Sequence, residues 1–180
     1  MNKSYNSAVV IIPPIEKWAP IQKIRKLYDR QINRWMPHIT LLYPFTPENE
    51  YSKLERIFSE ICEPIKQFKI SLRKFDYFGH GRQRFTLWLD PEPIESIITL
   101  QAKILNIVPD CNDVNKFKKG FRPHLSVGQI MGKDKLNKLI NKLQKNWEEI
   151  TFSLNTIYFI SREDNKASKF KISKQMKLNG

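Results

Sequence analysis

Two periods of apolar residues alternate along the chain. Residues 7–12 (Ser-Ala-Val-Val-Ile-Ile), closed by Pro13 and Pro14, form a β-branched run suited to a buried strand. From Ile21 the spacing changes. Ile21, Ile24, Leu27, Tyr28 and Ile32 recur every three or four positions with charges between them, which predicts an amphipathic helix. A strand follows over 38–43, ended by Pro44, and Leu54, Ile57, Phe58 and Ile61 mark a second helix. Residues 68–78 alternate with period two but change phase between Leu72 and Phe75, which predicts a bulge. Gly79-His80-Gly81-Arg82 is the natural turn into a returning strand over 85–89. Pro91 and Pro93 then introduce a third helix over 94–107, and a polar loop over 110–120 leads to a strand over 123–130. A fourth helix is predicted over 133–147 on Leu136, Leu139, Ile140 and Leu143. The end returns to β, over 150–160 and 170–178, around a polar loop at 161–169 that contains Arg162, Lys166 and Lys169.

This order predicts an α+β fold in one domain of 180 residues, with two lobes that each carry two helices and with sheets facing a shared cleft. Two half-domains sharing one core fit the same pattern. The formal net charge of +13 favours a polyanionic partner such as nucleic acid, or a phosphorylated substrate, although a generally basic surface gives the same sum. Cys62 and Cys111 match no metal-ligand spacing, so reduced thiols and an intracellular, cytoplasmic protein without a structural metal are expected. No stretch approaches the ~18 apolar residues of a membrane span. No membrane association and a monomeric state are the expectations.

One pattern occurs twice. Pro37-His38-Ile39-Thr40-Leu41 returns 86 positions later as Pro123-His124-Leu125-Ser126-Val127, and these two copies hold two of the three histidines. On a strand, His38 and Thr40 share a face, as do His124 and Ser126. If the lobes bring both copies to one cleft, two imidazoles and two hydroxyls converge on a small anion. Cleaving a phosphodiester needs a base for the attacking oxygen, an acid for the departing one and donors for the phosphoryl group. Two imidazoles titrating near ~6.5 can divide the first two roles. Strand parity sets Tyr43 and Phe45 on the opposite face from His38, which favours packing over base stacking for both, as for Tyr158. His80 reads as an exposed turn histidine, with Arg82 and Arg84 nearby as possible phosphate contacts. Lys116, Lys118 and Lys119 form a basic loop ahead of the second copy, either solvated or steering RNA.

The paired motifs, within Pro-His-Ile-Thr-Leu-Leu-Tyr-Pro-Phe and Phe-Arg-Pro-His-Leu-Ser-Val-Gly-Gln, resemble the 2H phosphoesterase superfamily, in particular its 2′-5′ RNA ligase-like and cyclic phosphodiesterase branch. The likeness extends over roughly residues 5 to 178. It implies a bilobal, pseudo-symmetric α+β fold with two antiparallel-rich sheets around a central cleft and helices outside. It also implies metal-independent catalysis without a cofactor by His38 and His124, with Thr40 and Ser126 holding phosphate; Arg122, immediately before Pro123-His124, is the preferred secondary phosphate contact by position. The expected substrate is a 2′,3′-cyclic phosphate or 2′-5′ phosphodiester of RNA or a nucleotide. A module of the same fold that binds RNA or nucleotide with little turnover is the alternative.

Overall fold

A computed structural model of the chain describes residues 2–116, 120–165 and 167–180. Its strands are β1 (Ser7–Ile11), β2 (Ile39–Leu42), β3 (Phe68–Gly79), β4 (Arg84–Glu92), β5 (Leu125–Met131), β6 (Ile150–Leu154), β7 (Thr156–Ser161) and β8 (Lys171–Lys177). Among the described residues four α-helices intervene: α1 (Trp18–Tyr28), α2 (Tyr51–Cys62), α3 (Ile94–Leu105) and α4 (Lys133–Lys145). The strands form two antiparallel four-stranded sheets, in the orders β2-β1-β7-β8 and β5-β4-β3-β6. The fold is therefore α+β, as the alternating periods require.

The run β1-α1-β2-α2 is repeated as β4-α3-β5-α4, with each motif strand at the edge of its own sheet. The helices cross between lobes. α1 packs against β5 and α3 against β2. One apolar core consequently runs through both sheets, from Val9 and Ile39 to Leu87 and Val127. Gly128 on β5 allows the closest part of this crossing. A Cβ there would lie 2.5 Å from the Tyr28 Cβ and 3.2 Å from its backbone carbonyl.

The bulge expected in β3 is present between Leu72 and Lys74. Other boundaries move. α1 begins at Trp18, tolerates Pro20 in its first turn and ends at Tyr28, so Ile32 falls beyond it and Leu27 faces solvent. α3 stops at Leu105 and α4 at Lys145. β4 runs through Pro91 because its pairing with β5 ends at Leu89, which leaves no neighbour on that side to need the missing N–H. The stretch 150–160 is two strands, not one. Ile150, Phe152 and Leu154 are buried in β6 and Ile157 and Phe159 in β7, so the alternation changes phase at Asn155 as the chain leaves one sheet for the other. Lys118, Lys119 and Lys166 lie outside the described residues, while Lys116 pairs with Asp113 at 2.8 Å. Cys62 and Cys111 are free and buried.

Candidate active site

Each motif histidine stands immediately before its strand, and the two edge strands β2 and β5 lie against each other. Both motifs carry a bulge at the same place. Val10 pairs with Thr40 but Val9 with Leu42, leaving Leu41 extra; Trp88 pairs with Ser126 but Leu87 with Gly128, leaving Val127 extra. In each strand two successive residues therefore turn toward the core, Leu41 with Leu42 and Val127 with Gly128. The following residue is shifted onto the histidine face. Tyr43 is accordingly on the same face as His38 and Thr40, contrary to simple alternation, and packs against the cluster of Ala8, Val10, Ile160 and Phe170 and edge-on to Trp35. Gln129 is its counterpart on β5. Phe45 does remain on the core side, against Tyr51, Phe58 and Phe159.

The histidines are oriented alike. His38 Nδ1 lies 2.7 Å from the Met36 carbonyl oxygen and His124 Nδ1 lies 2.8 Å from that of Arg122. A carbonyl only accepts, so each Nδ1 carries the proton and each neutral ring keeps its lone pair on Nε2. Backbone two residues upstream thus fixes both tautomers.

Their surroundings differ. Trp35 stacks on His38 with centroids 4.6 Å apart and planes at 17°, and is itself stacked on Phe170 at 3.7 Å. Phe78 and Trp88 meet His124 by their edges, at 4.8 and 5.9 Å. Burial pushes His38 down to about 4, with the positive charges of Arg25 and His124 adding to the effect and the Met36 carbonyl opposing it. His124 is therefore near enough for its charge to register at His38. Burial also lowers His124, with Arg122 contributing and the Arg122 carbonyl opposing.

Behind His38 lies a buried ion pair. Arg25 Nε donates to Asp29 at 2.7 Å, with both side chains no more than 3% exposed, and another Arg25 nitrogen donates to the Trp35 carbonyl at 2.9 Å. Asp29 also accepts from the Gln31 backbone and from Gln129 Nε2, while Gln129 Oε1 accepts from the Arg30 N–H. This network ties the end of α1 to β5. Arg122, expected to reach phosphate, gives one guanidinium nitrogen to Asp90 at 2.8 Å and lies over the Trp88 ring at 5.2 Å. Asp90 Oδ1 and Trp88 Nε1 are buried without a protein partner, two open valences beside His124.

His80 does not join the other two. It is exposed at the β3–β4 turn, with Nε2 bonded to Thr86 Oγ1 at 2.8 Å. Trp35, Arg25, Asp29, Trp88 and Gln129 were not singled out by the sequence pattern. Trp35, three residues ahead of His38, was the one visible signal among them. Among the described residues, no group of three or more His, Cys, Asp or Glu side chains is arranged to hold a metal ion, and no helix is long and apolar enough to cross a membrane.

The family model described as the 2′-5′ RNA ligase superfamily matches residues 13–166, which include both histidine motifs. The chain belongs to this superfamily. An RNA 2′,3′-cyclic phosphodiesterase from Methanothermobacter thermautotrophicus is 30% identical over 137 residues, covering 69% of this chain and 70% of the relative. Solved structures share the fold. E. coli LigT solved with 3′-AMP has 14% identity and a TM-score of 0.62 over 99% of this chain and 100% of its own. The Thermus thermophilus protein TT0787 gives the same TM-score, 0.62, at 16% identity, over 97% of this chain and 98% of its own.

Proposed function

We propose that the protein is a metal-independent phosphoesterase acting on a 2′,3′-cyclic phosphate or 2′-5′ phosphodiester of RNA or a nucleotide, with His38 and His124 as its acid/base pair. The observation that carries this reading is the shared tautomer. Each Nδ1–H is held by a backbone carbonyl, so each Nε2 is the nitrogen that exchanges a proton. His38, the imidazole pushed down to about 4, is neutral near pH 7 and serves as the base. It takes a proton from the attacking water as the P–O bond forms.

His124 enters protonated and gives its proton to the departing ribose oxygen as the second P–O bond breaks. The bound phosphodiester anion favours that protonated form. Thr40 and Ser126, set on the same face as their histidines by the strand pairing, donate to non-bridging oxygens. Arg122 is first a positioning residue, through its carbonyl, and has its remaining N–H groups for phosphate. The relative named as an RNA 2′,3′-cyclic phosphodiesterase supports the substrate class.

Turnover of a 2′,3′-cyclic mononucleotide in excess chelator, with the monophosphate product identified, tests this. Hydrolysis at an undiminished rate is expected. Tight calorimetric binding of the nucleotide without product would select the binding module instead, and loss of activity to chelator would refute metal independence.

A further inference from the structure

Beyond Ser126, the histidine face of the second sheet continues toward the β3–β4 hairpin. Trp88 is opposite Ser126, Thr86 opposite Gln129 and Arg84 opposite Met131, so Arg84 stands two same-face steps beyond Trp88, roughly 13 Å along the strand. There the surface forms a cavity of about 250 Å³ whose polar lining is Arg30, His80, Arg84, Thr86 and Gln129, with no carboxylate among its lining residues. Arg30 and Arg84 are exposed, and neither guanidinium has a carboxylate partner among the described residues. Met131, 60% exposed, borders the same hollow.

The backbone that carries the lining is fixed in place before any ligand arrives. Gly81, Arg82 and Gln83 all have positive φ, at 74, 48 and 57°, an uncommon conformation for the two that are not glycine. Main-chain bonds from Arg84 to Gly81 and from His80 to Arg84 close the turn. Gln83 then accepts from the Gly132 N–H through its carbonyl and from the Lys133 N–H through its side chain, which fastens the hairpin tip to the start of α4. On the other wall, Gln129 holds the Arg30 backbone at 2.9 Å. Two guanidiniums without a carboxylate partner, set beside a bonded imidazole–hydroxyl pair, are the chemistry of oxyanion recognition, and the Gln129 amide, held by Asp29 and the Arg30 N–H, shapes the wall.

We infer that this cavity is a second phosphate subsite, which takes a backbone phosphate of an RNA strand whose terminal phosphodiester lies between His38 and His124. The inference rests on the reading under Proposed function and narrows its substrate to an oligonucleotide end. A mononucleotide occupies only the histidine cleft.

The test pairs binding with turnover in wild type and in the Arg30→Ala/Arg84→Ala double variant. The first probe is a fluorescent five-nucleotide RNA ending in a 3′-phosphate, followed by anisotropy over a range of salt concentrations. The second is a 2′,3′-cyclic mononucleotide, followed by kcat/KM. The variant is expected to bind the RNA about tenfold or more weakly, with a log-log salt dependence shallower by about 1.4, and to hydrolyse the mononucleotide within about twofold of wild type. Unchanged RNA affinity and salt slope would overturn the subsite, as would an equal loss on the mononucleotide. If wild type fails to hydrolyse the mononucleotide, the catalytic reading fails, while the RNA-binding arm still decides the subsite.

Discussion

Around His38 the protein has placed a stacked Trp35 and Phe170 and, behind them, a fully buried Arg25–Asp29 pair. Around His124 it has placed aromatic edges and an Arg122–Asp90 pair, part-exposed on the arginine side, with two open buried valences. The frame holding the two rings is nevertheless the same: a carbonyl two residues upstream, a hydroxyl two residues downstream and a bulge just beyond. A duplicated frame with different walls is a way to obtain two chemically equivalent groups and then give them different protonation states. On the proposed reading, the frame fixes which nitrogen exchanges a proton, and the walls, which lower His38 to about 4 and also lower His124, bias which ring acts as base and which as acid.

The largest effect expected from breaking this comparison is in the wall of His38. Arg25→Ala leaves Asp29 buried without its main partner and should destabilise the protein by about 3–5 kcal/mol in denaturant titration, whereas Asp90→Asn, at a more exposed pair, should cost about 1 kcal/mol or less. A destabilisation of equal size at both would remove the contrast.

The bulges give the next test. Leu42 and Gly128 occupy equivalent positions, but Leu42 fills core while Gly128 makes room for Tyr28. Leu42→Ala opens a cavity, at about 2–5 kcal/mol, and Gly128→Ala drives a methyl against α1 backbone, at about 1–3 kcal/mol. The two should also differ in kind. Replacing Tyr28 by glycine in the Gly128→Ala background should recover part of the loss, since the nearest clash is with the Tyr28 Cβ and only glycine removes that atom, and no recovery at all would mean that the backbone contact alone decides.

Much of this was legible in the chain. The periods located the four α-helices and the strands, except that β6 and β7 read as one, the phase change in β3 located its bulge, and the Pro-His-x-hydroxyl pattern occurs twice. The bulge in β2 was less visible, because Leu41 and Leu42 are both apolar and a run of apolar residues hides which of them breaks the alternation. Its consequence, Tyr43 on the histidine face, was misread for that reason. The same bulge in β5 is masked by Gly128, which has no side chain to mark a face. The crossing of α1 onto β5 was not readable, since an amphipathic stripe states that a helix is covered but not by which sheet. Arg25 falls within that stripe as a charged residue, and only the fold reveals that Asp29, one helical turn later, is buried with it.

A smaller effect separates the histidines in stability against pH. The folded state holds His38 neutral down to about 4, whereas the unfolded chain takes up its proton near ~6.5. Between those values the unfolded state binds more protons, so the associated stability is fully present above pH ~6.5 and is lost as pH falls toward 4. His38→Gln should flatten the pH dependence of stability across that window. His124→Gln should flatten it in the same direction, since burial lowers this imidazole also. An unaltered acid limb in the His38 variant would show that its ring is freely solvated.

The central claim, that the two halves form a single acid/base site, is tested most directly by a double-mutant cycle. kcat/KM on a 2′,3′-cyclic nucleotide is measured for wild type, His38→Ala, His124→Ala and the double variant. Each single replacement should lower the rate by about 10²–10⁴, and the double should fall little below the worse single, because groups that act in one step do not contribute independently. Full activity in either single variant, or losses that multiply in the double, would contradict the account.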